Sequence, residues 1–390
     1  MSAQPALPTP AAPAPATPPV TGAWREGDHP GRRRFADVGP VRLEAGGALP
    51  AVRVAYETWG RLSPARDNAV LVEHALTGDS HVVGDAGPGH PTAGWWNGLI
   101  GPGLALDTDR WFVVASNVLG GCQGTTGPAS DAPDGRPWGS RFPYVTVRDQ
   151  VAVEERLAAE LGIDRWGLVV GGSMGGMRAL EWAVSRPSQV ERLLVLASTP
   201  YATGDQIAWC AGQLAAIRAD HHYRGGDYYD APPGAGPHAG LGVARRIAHA
   251  TYRSEPELNL RFGRKAQPNE QPLAGRGRFA VESYLDHQAD KLVRRFDANS
   301  YVVLTEAMNS HDVGRGRGGT AAALSRVSAR TAVAAIDSDR LYPVPLNREI
   351  AEGIPDTLPL RVIGSPYGHD GFLIETGAVA EVLGELLASS

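Results

Sequence analysis

The chain has 390 residues, 43% of them hydrophobic, a formal net charge of −5 and two cysteines. That length holds one large α/β domain with an insertion, or two domains, around a sizeable core. The charge leaves no basic footprint for nucleic acid, and no run approaches the ~18 consecutive apolar residues of a membrane span. Cys122 and Cys210 imply neither a disulfide framework nor a zinc cluster, so a reduced, cytoplasmic setting is expected.

Residues 1–22 are almost entirely Ala, Pro, Thr and other small residues. Such a composition cannot bury a core and is expected to stay extended and mobile. It has neither the basic start nor the continuous apolar stretch of a secretion signal. Residues 41–44 and 52–56 flank a Gly-Gly pair and read as two antiparallel strands. Short aliphatic runs follow at 69–74 and 111–116. Residues 147–162 carry Val151, Val153, Leu157 and Leu161 at helical spacing, with Thr146 as N-cap. The run 166–170 suits a strand buried on both faces, and Met177, Ala179, Leu180, Trp182 and Ala183 then line the inner face of a helix. Further strands are expected at 192–197, 331–336 and 360–363, and a helix from about 377 to 387 closes the chain. Strands alternating with helices imply an α/β fold with a mostly parallel central sheet flanked by helices.

The stretch 200–312 differs, with helical patterns at 205–219, 240–253, 282–296 and 300–309 and almost no strand signal. It reads as a helical lid inserted into a core made of residues 23–199 and 313–390. A lid in that place would shape a pocket and exclude water.

The most informative segment is Gly171-Gly172-Ser173-Met174-Gly175-Gly176. A Gly-x-Ser-x-Gly at a strand-to-helix joint is the nucleophile elbow of α/β-hydrolases. The serine sits in a strained turn, where a side chain at either glycine would collide with a neighbouring element. The N–H groups that follow point to where an oxyanion would form. The blander reading is an ordinary Gly-rich turn. A phosphate loop is disfavoured, because Met177-Arg178 stands where Lys-Ser/Thr is required.

An elbow serine needs a base and an acid, which in this fold follow it in the order Asp/Glu, then His. Seven histidines come after Ser173, and only His369 follows a late core strand. The end of the preceding core strand offers both Asp337 and Asp339, and spacing does not separate them.

Several blocks resemble homoserine O-acetyltransferase, its actinobacterial branch most closely. They are Glu73-His74-Ala75-Leu76-Thr77-Gly78-Asp79, the run 117–128, the elbow, Ser283-Tyr284-Leu285, the run 295–301, the run 311–319, Ser338-Asp339-Arg340-Leu341-Tyr342-Pro343 and Tyr367-Gly368-His369-Asp370-Gly371-Phe372. The match spans about residues 35–385. By that resemblance the catalytic set is Ser173, Asp339 and His369, and the oxyanion donors are the N–H groups of Leu76 and Met174. Substrate contacts fall on Arg245, Tyr252 and Asp370. A zwitterionic acceptor would set its carboxylate on Arg245 and its ammonium on Asp370; without the resemblance, Arg245 and Arg246 read as a solvated helix face. The implied reaction moves the acetyl group of acetyl-CoA to the hydroxyl of L-homoserine through an acyl-serine, in methionine biosynthesis. It uses no permanently bound cofactor and no metal, and a homodimer through the lid helices is expected.

Related readings keep the same set: a succinyl-CoA donor, a serine or deacetylcephalosporin-type acceptor, or water as acceptor in a serine esterase or thioesterase. A non-catalytic binding module is disfavoured, because such modules usually lose the serine or histidine. Cys122 reads as near the site or, more simply, as inert and buried. Arg315 and Arg317 read as contacts for CoA phosphates or as an exposed basic loop. Trp95 and Trp96 read as packing residues.

Overall fold

The computed structural model describes residues 17–389. Eight strands form one sheet: β1 (Arg34–Arg42), β2 (Ala48–Trp59), β3 (Ala69–Glu73), β4 (Phe112–Ser116), β5 (Leu168–Gly172), β6 (Arg192–Leu196), β7 (Arg330–Ile336) and β8 (Arg361–Ile363). Their order across the sheet is β1-β2-β4-β3-β5-β6-β7-β8. β1 pairs with β2, and β2 with β4, in antiparallel fashion; every other pairing is parallel. β3 and β5 are buried along their whole length, as the aliphatic runs require of central strands covered on both faces.

On one face, α1 (Val147–Glu160) and α2 (Met174–Ser185) set Val151, Leu157, Leu180 and Ala183 against Leu71, Val169 and Leu193. Thr146 caps α1 in a reciprocal box with Asp149. On the opposite face, α11 (Thr376–Ala388) packs Val379, Val382 and Leu386 with Val72, Val170 and Leu194.

The insertion at residues 200–312, between β6 and β7, forms α3 (Gly204–Ala219), α4 (His238–Tyr252), α5 (Glu255–Arg261), α6 (Ala280–Val293) and α7 (Ala298–Asn309). α5 is absent from the sequence expectation because it is short and lacks an apolar stripe. The remaining helices are α8 (Thr320–Leu324), α9 (Val344–Gly353) and α10 (Gly371–Ile374).

One expectation needs correcting. Residues 1–16 of the proposed mobile tail lie outside the described residues, but 17–22 are pinned to the helical insertion. The carbonyls of Pro18 and Pro19 accept from Gly234 N–H (2.9 Å) and His238 Nε2 (2.7 Å). Thr21 Oγ1 donates to Asp297 (2.8 Å), and Gly22 N–H to the Phe296 carbonyl (3.1 Å). These bonds are mostly to backbone carbonyls, which a small, proline-rich composition still supplies.

Candidate active site

β5 runs through Gly171 and Gly172 and turns into α2 at Ser173, whose φ of 59° and ψ of −125° few non-glycine residues adopt. The flanking glycines answer to close approach. A Cβ on Gly171 would lie 2.2 Å from the Gly175 carbonyl oxygen, and one on Gly175 would lie 2.1 Å from that of Glu73. Beneath the turn, the fully buried Arg178 guanidinium sits between Glu73 (2.8 Å) and Glu154 (2.7 Å) and donates to the His74 carbonyl (2.8 Å). That network ties β3, α1 and α2 together below the serine.

His369 stands in a short turn after β8 and is buried. Its Nδ1 lies 2.7 Å from Asp339 Oδ2, while Asp339 Oδ1 accepts the N–H groups of Leu341 (2.8 Å) and Tyr342 (2.9 Å). A carboxylate at Nδ1 makes that nitrogen the donor and leaves Nε2 as acceptor. Asp337 instead accepts the Ser365 N–H (3.0 Å). The geometry thus separates two aspartates that spacing could not. Ser173 and His369 line one cavity of about 270 Å³. The His369 loop is clasped by the insertion: Gly368 abuts the backbone of Tyr252 and Ser254, and Arg253 pairs with Asp370 at 3.2 Å.

The loop after β3 supplies Ala75, Leu76 and Thr77 to the same cavity. His74 fastens it: Nδ1–H donates to the Ala75 carbonyl (2.8 Å) and Nε2 accepts the Val118 N–H (3.1 Å). Burial, and then the Arg178 charge, push its pKa down to about 3, so the ring is neutral. Among the described residues, neither the Leu76 N–H nor the Met174 N–H at the first position of α2 meets a protein acceptor. Free donors beside an elbow serine and an acid-oriented imidazole suit acyl transfer.

The structure brings Arg245, Tyr252 and Asp370 to this cavity with Ser173, Leu76 and His369. Burial raises the Asp370 carboxyl despite nearby His369, Arg245 and Arg253. Arg295, His249, Thr77 and Trp95 also line the cavity, and the sequence reading gave none of them a role there. One signal for His249 was its position four residues after Arg245 on one helix face. Trp95 thus differs from Trp96, which is a buried packing residue.

Other candidates lie elsewhere. Cys122 is buried and borders a separate groove, and burial, followed by the Asp297 charge, raises its thiol to about 12. Arg315 pairs with Glu44 (2.8 Å) and Arg317 with Glu181 (2.5 Å), so both fasten their loop to the core. Glu57, His81 and His90 also gather in the interior. The two rings stack 3.8 Å apart, and His90 Nε2 already accepts the Arg32 N–H, so that nitrogen is not free to ligate a metal.

A family model described as alpha/beta hydrolase fold matches residues 68–376. A homoserine O-acetyltransferase of Thermobifida fusca is 65% identical over 371 residues, covering 95% of this chain and 97% of the relative. A solved homoserine O-acetyltransferase from Bacillus anthracis has a TM-score of 0.84 at 27% identity, covering 92% of this chain and 98% of that one. An acetylester hydrolase from Corynebacterium glutamicum has a TM-score of 0.78 at 29% identity, covering 92% and 97%. With its sheet order, its elbow and its Asp–His pair, the chain belongs to the homoserine O-acetyltransferase family of the α/β-hydrolase fold.

Proposed function

We propose that this enzyme moves the acetyl group of acetyl-CoA to the hydroxyl of L-homoserine by way of an acetyl-serine, a step of methionine biosynthesis. The observation that carries the reading is the Asp339–His369 pair, at 2.7 Å, sharing a cavity with the elbow serine and with Arg245. His369 Nε2 takes the Ser173 proton as Oγ attacks the thioester carbonyl. The N–H groups of Leu76 and Met174 stabilise the oxyanion, each worth on the order of 3 kcal/mol in barrier. The C–S bond breaks, CoA leaves as a thiol with the proton from His369, and the acetyl-enzyme remains. Homoserine then gives its hydroxyl proton to His369 and attacks the ester, and Ser173 recovers its proton as the leaving group.

The acceptor is a zwitterion, and the cavity wall offers both signs of charge. Arg245 faces the carboxylate, and Asp370, held by Arg253, faces the ammonium. The helical insertion acts as a lid that shields the acyl-enzyme from water. α3 exposes Ile207 (39%) and Trp209 (42%), an apolar face that supports pairing of two copies through the lid. The two free cysteines support a reducing compartment.

A second reading, hydrolysis of the acyl-enzyme, is favoured by the likeness to the acetylester hydrolase. Thiol release from acetyl-CoA decides between them. Transfer predicts a burst or slow release that turns rapid and steady on adding L-homoserine, whereas hydrolysis predicts rapid steady release without it. Ser173→Ala is expected to abolish the burst while leaving the circular-dichroism spectrum unchanged, and retained turnover would refute the nucleophile assignment.

A further inference from the structure

We propose that Arg295 and His249 join Arg245 to form a three-sided corner that binds the α-carboxylate of the amino-acid acceptor, and so set acceptor specificity. The inference rests on the transfer reading above and extends it to two further residues.

Arginines of the insertion generally find carboxylates. Arg246 meets Asp286 at 2.8 Å, Arg253 meets Glu257 at 2.8 Å, and Arg278 meets Glu270 at 2.7 Å. Arg245 and Arg295 do not: among the described residues, no carboxylate lies within 4.0 Å of either. Both are drawn to one residue, Thr77, whose Oγ1 accepts from Arg245 Nη1 (3.3 Å) and whose carbonyl accepts from Arg295 Nη1 (2.8 Å). Two like charges are thus held side by side on a cavity wall. Burial, and then the repulsion from Arg245, lower the pKa of Arg295. Asp79 is the acid that acts on Arg295 from a distance, and its carboxylate is occupied by the His81 N–H.

Two further donors point to the same ligand. Among the described residues, Arg245 Nε is buried without an acceptor, and so is His249 Nε2, one turn along α4. His249 Nδ1 lies 3.4 Å from the Tyr284 hydroxyl. With that hydroxyl donating to Nδ1, Nε2 carries the hydrogen. Burial, followed by Arg245 and Arg253, holds His249 at about 2, so it offers a hydrogen bond without adding a third charge. Buried donors without acceptors are costly unless a ligand satisfies them. A carboxylate suits the corner, with two oxygens that accept from both guanidiniums and the imidazole.

The anion belongs to the acceptor. The corner shares a cavity of about 270 Å³ with Ser173, a space for a small amino acid, whereas the phosphates of CoA sit at the far end of the pantetheine arm from the reacting carbonyl.

The test compares L-homoserine with 3-aminopropan-1-ol, which keeps the hydroxyl and the ammonium and lacks the carboxylate. Thiol release is followed with each acceptor, and active sites are counted from the acetyl-CoA burst. The unsubstituted enzyme is expected to favour homoserine strongly in kcat/KM. Arg295→Gln should narrow that preference about tenfold to a hundredfold, through a raised homoserine KM, and His249→Gln about threefold to tenfold. Arg295→Lys, which keeps a charge and can still reach Thr77, should fall between; it carries the test if Arg295→Gln does not fold. Variants that keep the full preference for homoserine would overturn this inference while leaving the transfer reading intact. An unsubstituted enzyme that gives a burst but no homoserine-dependent turnover would overturn both.

Discussion

The peptide joining Ala75 to Leu76 presents a carbonyl on one side and, on the other, the N–H assigned to the oxyanion. His74 holds the carbonyl side, and the Val118 N–H holds His74. The imidazole therefore fixes the direction of a dipole it does not itself carry. His74→Ala is expected to lower kcat about tenfold to a hundredfold with KM for both substrates little changed, and to cost about 1–3 kcal/mol by leaving the Val118 N–H unpaired. Steady-state kinetics alongside urea unfolding check both effects, and a loss of stability with kcat intact would reduce His74 to a packing role. At this scale the serine was legible because the glycines that let β5 turn tightly into α2 stand beside it in the chain. Asp339 was not separable from Asp337, because two residues at one strand end differ only in where the loop carries them. His249 and Arg295 were illegible for a related reason: a donor without an acceptor, or an arginine without a carboxylate, is a property of the cavity, and in sequence it looks like any solvated polar residue.

Strands and long helices were readable from period and caps. The run 205–219 became α3, and Thr146 does cap α1. Strand edges moved where pairing extended them: β1 and β2 outgrow their apolar cores because the hairpin ladder continues over polar residues. The segment 17–22 escaped detection because backbone bonding is blind to composition. Its anchor, Asp297, is fully buried, caps α7 through the Ser300 N–H (2.8 Å) and accepts from Tyr228 (2.7 Å), Tyr229 (3.0 Å) and Thr21 (2.8 Å). With no cation within 4.0 Å among the described residues, this buried carboxyl group depends on each of these donors. Thr21→Val is therefore expected to lower stability by about 1–3 kcal/mol while leaving kcat near its original value. Thermal unfolding together with the thiol-release assay checks this, and an unchanged melting temperature would show that the strap contributes nothing.

Over the whole molecule, buried neutral histidines set an acid limit. Burial pushes His74 down to about 3 and His311 down to about 4, against an ordinary value near 6.5. Between pH 6.5 and about 4 the unfolded chain binds protons at these sites that the folded chain does not. Their contribution is therefore complete above pH 6.5 and is lost as pH falls, by up to about 1.4 kcal/mol per pH unit for each ring. His81, raised by Glu57, works in the opposite sense. His249 and His90, held down at about 2 and about 3, add to the same trend, so unfolding free energies from urea titrations should drop by at least about 4 kcal/mol from pH 7.5 to pH 5, and a flat profile would contradict the neutral assignments. The clasp between Gly368 and the Tyr252 backbone, with Arg253 on Asp370, has a mechanical corollary. Swinging α4 outward would carry the imidazole turn with it, so admitting bulk solvent and dismantling the proton acceptor become a single motion. An acetyl-enzyme that opens prematurely is then also one that has lost the means to activate water.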